Sequence, residues 1–313
     1  MPRASSPAHR SLQPTAISGR ENRWLQRFRA ALAGRTEQSG GWAGIEGTRL
    51  VEEALRSAVP IDAILVSDSG RKHLEKITPH WRSDMRLLAT SDRMFDSIAA
   101  TETPQGIAAL VRPKIAAFDD LLNEAAAPLV VVLVGVQDPG NVGTILRTAD
   151  ALGASGVAVC GAGSAGTAHP FSPKVIRASA GSAFRLPILV GVAVSVLQAQ
   201  LRVSGVRLFA ATSSQHATES AGTLAPWHAD WRGPVALFVG NEGAGLPAEV
   251  ERAADSRVRI PLAARPAGTA ESVESLNAAM ATTILLYEAV RQRGGAAGQI
   301  AGSEPDVSVA PKQ

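Results

Sequence analysis

Residues 129–136 read LVVVLVGV, an aliphatic run in which five of eight positions are valine. No alternation of apolar and polar residues breaks it, so neither face of this segment is suited to water. Such a run belongs to a strand covered on both sides, as in a parallel sheet flanked by helices. Similar runs at Gly156–Cys160, Leu186–Val190, Arg207–Ala211, Val235–Val239 and Arg257–Ile260 alternate with helical patterns. The expected fold class is therefore α/β with a mainly parallel sheet, beginning near Pro128.

A smaller α/β pattern precedes it. Residues 21–35 read as a basic helix with Trp24, Leu25, Phe28 and Leu32 near one face. A small-residue joint follows at Ser39, Gly40 and Gly41. Thr48–Ala58 reads as a helix capped by Thr48, with Leu50, Val51, Ala54 and Leu55 facing inward. Ile61–Val66, Met85–Leu88 and Gly106–Val111 read as strands, and Asp92–Ala100 as a helix. The expected organisation is a disordered basic arm (1–20), a first domain (21–113), a linker (114–127), a second domain (128–292) and a flexible tail (293–313).

Composition narrows the function. The chain has 313 residues, 45% of them hydrophobic, which is enough for buried cores and too apolar for a wholly disordered chain. One cysteine, Cys160, excludes a disulfide framework and a cysteine-cluster metal site. No apolar run reaches the length of a membrane span and no secretory signal is visible, so a cytoplasmic location is expected. Residues 1–35 hold seven arginines and one acid, Glu21, for a local charge of +6 against +3 for the whole chain. Ala151–Thr218 contains no Asp or Glu but holds Lys174, Arg177, Arg185, Arg202 and Arg207. Both asymmetries suit a polyanionic partner, although a solvated tail and ordinary surface arginines account for them equally simply.

Ligands of open parallel sheets bind beyond the carboxyl ends of the strands. Three such ends share one style, a buried run followed by a small-residue loop and a helix. The first runs from Gly135 through Asn141 and Gly143 toward Arg147. The second is Gly240-Asn241-Glu242-Gly243-Ala244-Gly245. The third leaves Ile260 and Leu262 and reaches Ser275-Leu276-Asn277 at the start of a long helix. Taken singly, Asn141, Ser275 and Asn277 serve equally as helix caps, Glu242 as a turn residue and Arg147 as a solvated arginine. The GxGxxG at 161–166 lacks the immediate helix and downstream acid of a dinucleotide site, which argues against an oxidoreductase. A phosphate-binding P-loop, a nucleophilic GxSxG and histidine metal spacing are all missing from the sequence.

These three segments resemble the motifs of the SpoU/TrmH family of RNA ribose 2′-O-methyltransferases, within the SPOUT superfamily. DPGNVGTILRTADALGASGV (138–157) is similar to the first motif, LFVGNEGAGLP (237–247) to the second, and IPLAARPAGTAESVESLNAAMATTILLYEA (260–289) to the third. GIEGTRLVEEAL (44–55) and TETPQGIAALV (101–111) resemble the substrate-binding domain found before the catalytic one in many members. The stretch between Leu262 and Ser275 is longer than the family pattern.

The resemblance implies an RNA methyltransferase with S-adenosylmethionine as cofactor, a C-terminal trefoil knot and a homodimer. It implies cofactor contacts at Gly240, Asn241, Gly243, Ile260, Leu262 and Leu276. Arg147 matches the catalytic arginine, and Asn141, Glu242, Ser275 and Asn277 match the other polar motif positions. Because a guanidinium stays protonated, Arg147 suits electrostatic assistance to the ribose hydroxyl better than proton abstraction. Structured ribosomal RNA is the expected substrate. A transfer RNA methyltransferase and a non-catalytic RNA-binding protein on the same fold are the alternatives. In the last helix Leu276, Met280, Thr283, Tyr287 and Val290 form one stripe, with Ile284 and Leu285 beside it, the pattern of an interface helix.

Overall fold

The structure, a computed structural model, describes residues 13–122, 127–162, 166–213, 223–263 and 275–294. It divides into two compact units. The first contains the described residues up to Lys114 together with Pro170–Arg185; the second contains Ile115–His169 and the described residues from Leu186 onward.

In the first unit the order is β1 (Thr15–Ala16), α1 (Arg23–Leu32), β2 (Ala43–Glu46), α2 (Thr48–Arg56), β3 (Ile61–Ser67), α3 (Leu74–Ile77), β4 (Arg86–Thr90), α4 (Asp92–Asp96) and β5 (Ile107–Val111). They form a five-stranded sheet ordered β1-β4-β3-β5-β2, with β5 antiparallel to both neighbours and the other pairs parallel. Leu25, Phe28, Ala31 and Leu32 of α1 join Leu65, Leu88, Phe95 and Leu110 in one core. Two sequence expectations change here, and one strand is new. Residues 13–20 belong to no disordered arm, since β1 pairs with β4 and Ile17 is buried. The short β2 escapes sequence patterning because all four of its residues are buried and only its pairing with β5 defines it. The cap of α2 is Gly47, not Thr48; the Gln105 side chain accepts from the Thr48 amide at 2.9 Å, and the buried Thr48 hydroxyl has no partner among the described residues.

The second unit holds β6 (Leu129–Val134), α5 (Pro139–Ala151) and β7 (Gly156–Cys160). After α6 (Pro173–Ala178), which sorts with the first unit, come β8 (Ile188–Val190), α7 (Val194–Val203), β9 (Arg207–Ala211), β10 (Thr223–Leu224), β11 (Val235–Val239), α8 (Ala248–Arg252), β12 (Ser256–Val258) and α9 (Ala278–Gln292). The seven strands lie in the order β10-β12-β9-β11-β6-β7-β8, all parallel. All six residues of β6 are buried, as its aliphatic run requires. From β6 the chain moves outward through β7 and β8, then crosses to the other side and returns to place β11 against β6. That reversal puts the loops after β6 and β11 side by side, where open α/β sheets bind ligands.

The acid-free stretch is not a bare cationic surface. Arg202 pairs with Asp255 and Arg207 with Asp230, while Arg185 meets Glu53 within the first unit. Carboxylates from outside the stretch neutralise these three guanidiniums. No described helix is long and apolar enough to cross a membrane.

Candidate active site

Helix α5 begins at Pro139, whose missing amide proton costs nothing in a first turn. Asp138 caps it, its carboxylate accepting from the Asn141 amide at 2.8 Å. Asn141 therefore caps nothing, and its side chain is free for longer-range bonds. Its Nδ2 donates to Glu242 Oε1 at 2.6 Å, and its Oδ1 accepts from Asn277 Nδ2 at 2.9 Å. The three loops meet in this one hydrogen-bonded chain, Glu242–Asn141–Asn277. Asn277 also caps α9, its Oδ1 accepting from the Ala279 and Met280 amides at 2.9 and 3.3 Å. One side chain thus satisfies the helix end and reaches across to α5.

The loop after β11 is held by Asn241. Its Nδ2 donates to the Gly135 carbonyl at 3.0 Å, and its Oδ1 accepts from the Gly243 and Ala244 amides at 2.9 and 3.0 Å. Asn241 and Gly245 exchange both backbone bonds at 3.0 Å, closing a tight loop. A Cβ on Gly240 would stand 2.3 Å from the Gly245 carbonyl carbon, so only glycine permits this crossing. Gly135, with φ +74°, turns the chain out of β6, and its amide donates to the Thr167 hydroxyl at 2.8 Å.

Arg147 stands apart from this chain. Six residues past Asn141, it lies about 9 Å farther along α5 and a third of a turn round the axis. Its side chain is exposed and makes no ion pair or hydrogen bond with a described residue. The next residue, Thr148, meets Thr283 of α9 at 3.4 Å between hydroxyls. Ser275 is half-buried and has no hydrogen bond to a described residue. Ile260 is half-buried just after β12, while Leu262 and Leu276 are 40% and 36% exposed on either side of 264–274. The long insertion expected there lies outside the described residues, as does part of the GxGxxG. Thr167 was missed by sequence reasoning, as was the capping role of Asp138, for which the signal is the Asp-Pro pair that opens a helix.

On α9 the buried side is Ala278, Ala279, Thr282, Leu285, Leu286 and Ala289. Leu285 is therefore a core residue, and the solvent stripe is Leu276, Met280, Ile284 and Tyr287.

The description SpoU rRNA Methylase family matches residues 128–287, and an MRM3-like substrate binding domain matches 34–109. The 23S rRNA (guanosine(2553)-2′-O)-methyltransferase RlmP of Bacillus subtilis is 35% identical over 78% of this chain and 86% of its own length. The 23S rRNA (uridine(2479)-2′-O)-methyltransferase of Streptomyces viridochromogenes is 30% identical over 93% of this chain and 96% of its own. Among solved structures, the AdoMet-bound rRNA methyltransferase of Sinorhizobium meliloti superposes with a TM-score of 0.72 at 30% identity, over 88% of this chain and 97% of that one. With matched motifs meeting beyond the carboxyl ends of the central strands, the chain belongs to the SpoU rRNA methylase family.

Proposed function

We propose that this protein methylates a ribose 2′-hydroxyl in structured RNA, ribosomal rather than transfer RNA, using S-adenosylmethionine. The single observation that carries the reading is the hydrogen-bonded chain Glu242–Asn141–Asn277, which joins three loops far apart in sequence beside the glycine crossing at Gly240. Relatives named as 23S rRNA 2′-O-methyltransferases support the ribosomal substrate.

The residues present fit the cofactor. Gly240–Gly245 offers backbone at close approach, and the exposed Leu262 and Leu276 offer apolar surface to a purine. When bound, S-adenosylmethionine supplies an electrophilic methyl on a sulfonium. Gly240, Asn241, Gly243, Ile260, Leu262 and Leu276 would hold it, and Asn241 keeps the loop shaped through Gly135. Arg147, exposed and unpaired among the described residues, binds the phosphate next to the target ribose and steadies charge developing on O2′. Arg147 would act as a hydrogen-bond donor and not as the proton acceptor, and the hydroxyl proton would leave to water. Asn141, Glu242, Ser275 and Asn277 position the ribose and the loops around it, since in-line transfer depends first on alignment.

Three architectural readings go with this. Residues 21–113 are the RNA-binding domain, with 128–292 as the methyltransferase domain. A C-terminal trefoil knot, which the family resemblance implies, goes with this reading of the second unit. The exposed Met280, Ile284 and Tyr287 stripe suits a homodimer, and a free buried Cys160 suits the cytoplasm.

The test is methyl transfer in vitro. Purified protein with tritiated S-adenosylmethionine should label 23S rRNA in preference to tRNA and leave one linkage resistant to alkaline cleavage. Label confined to bases, or none on either RNA, would overturn the reading.

A further inference from the structure

The polar ends of α1, β3, β4 and β5 in the first unit carry a feature that the methyl-transfer site does not use. Two of the chain's five tryptophans, Trp24 and Trp42, lie there half-exposed, each under a guanidinium. Arg27 stands 4.6 Å from the Trp24 ring centre, with Arg86 at 5.5 Å and Arg23 at 5.6 Å; Arg112 stands 4.3 Å from the Trp42 ring. The two stacks are one patch. Arg27 Nε donates to the Ser39 carbonyl at 3.4 Å, the Ser39 hydroxyl donates to the Trp42 carbonyl at 2.5 Å, and Arg112 donates to Gly40 at 2.9 Å.

Charge on the patch is in surplus. Arg27 and Arg86 share one carboxylate, Asp62, at 2.7 and 2.5 Å. Among the described residues, Arg112 is held only by a carbonyl and a ring, and Arg23 only by a ring. At the two rings four arginines, Arg23, Arg27, Arg86 and Arg112, meet one carboxylate, Asp62, among the described residues. Stacking on indole keeps the exposed Arg23 and Arg112, which have no carboxylate partner among the described residues, flat, oriented and available to an anion. With guanidiniums lying over the indoles, the patch presents guanidinium planes on which unpaired bases stack and N–H donors for the phosphates between them.

We infer that the Trp24–Arg27–Trp42–Arg112 surface is a substrate-docking site for single-stranded or looped RNA. It gathers the phosphate backbone and stacks exposed bases, so that the first unit grips the RNA by a face of its own. The inference rests on the RNA reading above and names where that RNA lies on the first unit.

The experiment measures binding of a fluorescein-labelled single-stranded RNA oligonucleotide by anisotropy across a salt series, using the full chain. Arg23→Ala/Arg112→Ala removes two exposed guanidiniums, and should weaken binding about tenfold and lower the salt slope by about 2. The thermal midpoint and S-adenosylmethionine affinity report the fold. Lys72→Ala/Lys76→Ala, on the exposed segment after β3, makes the same change in charge elsewhere on the unit and should lose less. Equal or greater loss in that control, or effective competition by polyglutamate, would overturn the site. Wild-type protein that binds and methylates RNA while the arginine pair changes nothing sinks this inference alone. Wild-type protein that binds no RNA sinks the functional reading with it.

Discussion

Asn277 Nδ2 lies 2.9 Å from Asn141 Oδ1 across 136 residues of chain, while the Asn277 Oδ1 holds the first amides of α9. The two ends of this one amide do different work, so they can be separated. Asn277→Asp keeps the acceptor that caps α9 and loses the donor to Asn141. Its thermal midpoint should stay near wild type while kcat falls. Asn277→Ala loses both, and the missing cap costs about 1 kcal/mol. That corresponds to a midpoint about 2–4 °C lower. Scanning calorimetry beside a methylation assay checks both; equal stability loss in the two variants contradicts the division.

Arg147 has no described partner to abandon, so its removal should leave the fold intact. Arg147→Ala should lower methyl transfer by about 10²–10³-fold, the usual cost of losing one donor to developing charge. Titration calorimetry should find S-adenosylmethionine binding close to wild type. Near-normal turnover would remove Arg147 from the mechanism.

Gly240 leaves no room for a side chain. In Gly240→Ala the new Cβ would meet backbone at 2.3 Å, which cannot rotate away. Overpacking of this kind costs about 1–3 kcal/mol. Cofactor affinity should fall with it, because the Asn241–Gly245 loop must open. Urea unfolding and calorimetry measure the two effects.

Cys160 is buried at the carboxyl end of β7, and burial pushes its thiol up to about 11 from an ordinary 9.0. The folded state then keeps a proton that the unfolded state gives up in alkali. Stability should be unaffected below the ordinary value and fall as pH rises from about 9 to about 11, by roughly 2–3 kcal/mol. Cys160→Ala should flatten that part of the pH profile in urea unfolding. The native thiol should also resist disulfide reagents at neutral pH.

Ile284 is 41% exposed between Met280 and Tyr287, while the opposite side of α9 is buried in its own unit. Ile284→Asp should leave secondary structure unchanged and convert a dimer to a monomer in analytical ultracentrifugation. A monomeric wild type would remove the interface reading.

Much of the second unit was legible because its signal is local. Gly156–Cys160, Arg207–Ala211 and Val235–Val239 are strands at the boundaries their aliphatic runs predict. Strands β1, β2 and β10 were not legible, because each is a few residues long and exists only through a partner strand. Caps shifted for a similar reason. Thr48 is the first residue inside α2 and its hydroxyl caps nothing, while Gln105, remote in sequence, accepts from its amide.

Sequence alone determined the layered α/β class, the three glycine-containing loops and their polar residues, since hydrophobic period and turn chemistry act over a few neighbours. Tertiary structure decided that Asn141 bonds Glu242 and Asn277 while Arg147 faces solvent, and that Trp24 and Trp42 lie under arginines. It also sorted Pro170–Arg185 with the first unit. A hydrogen bond needs its partners within about 3 Å of one another. Residues a hundred positions apart meet that condition only when packed strands bring them there.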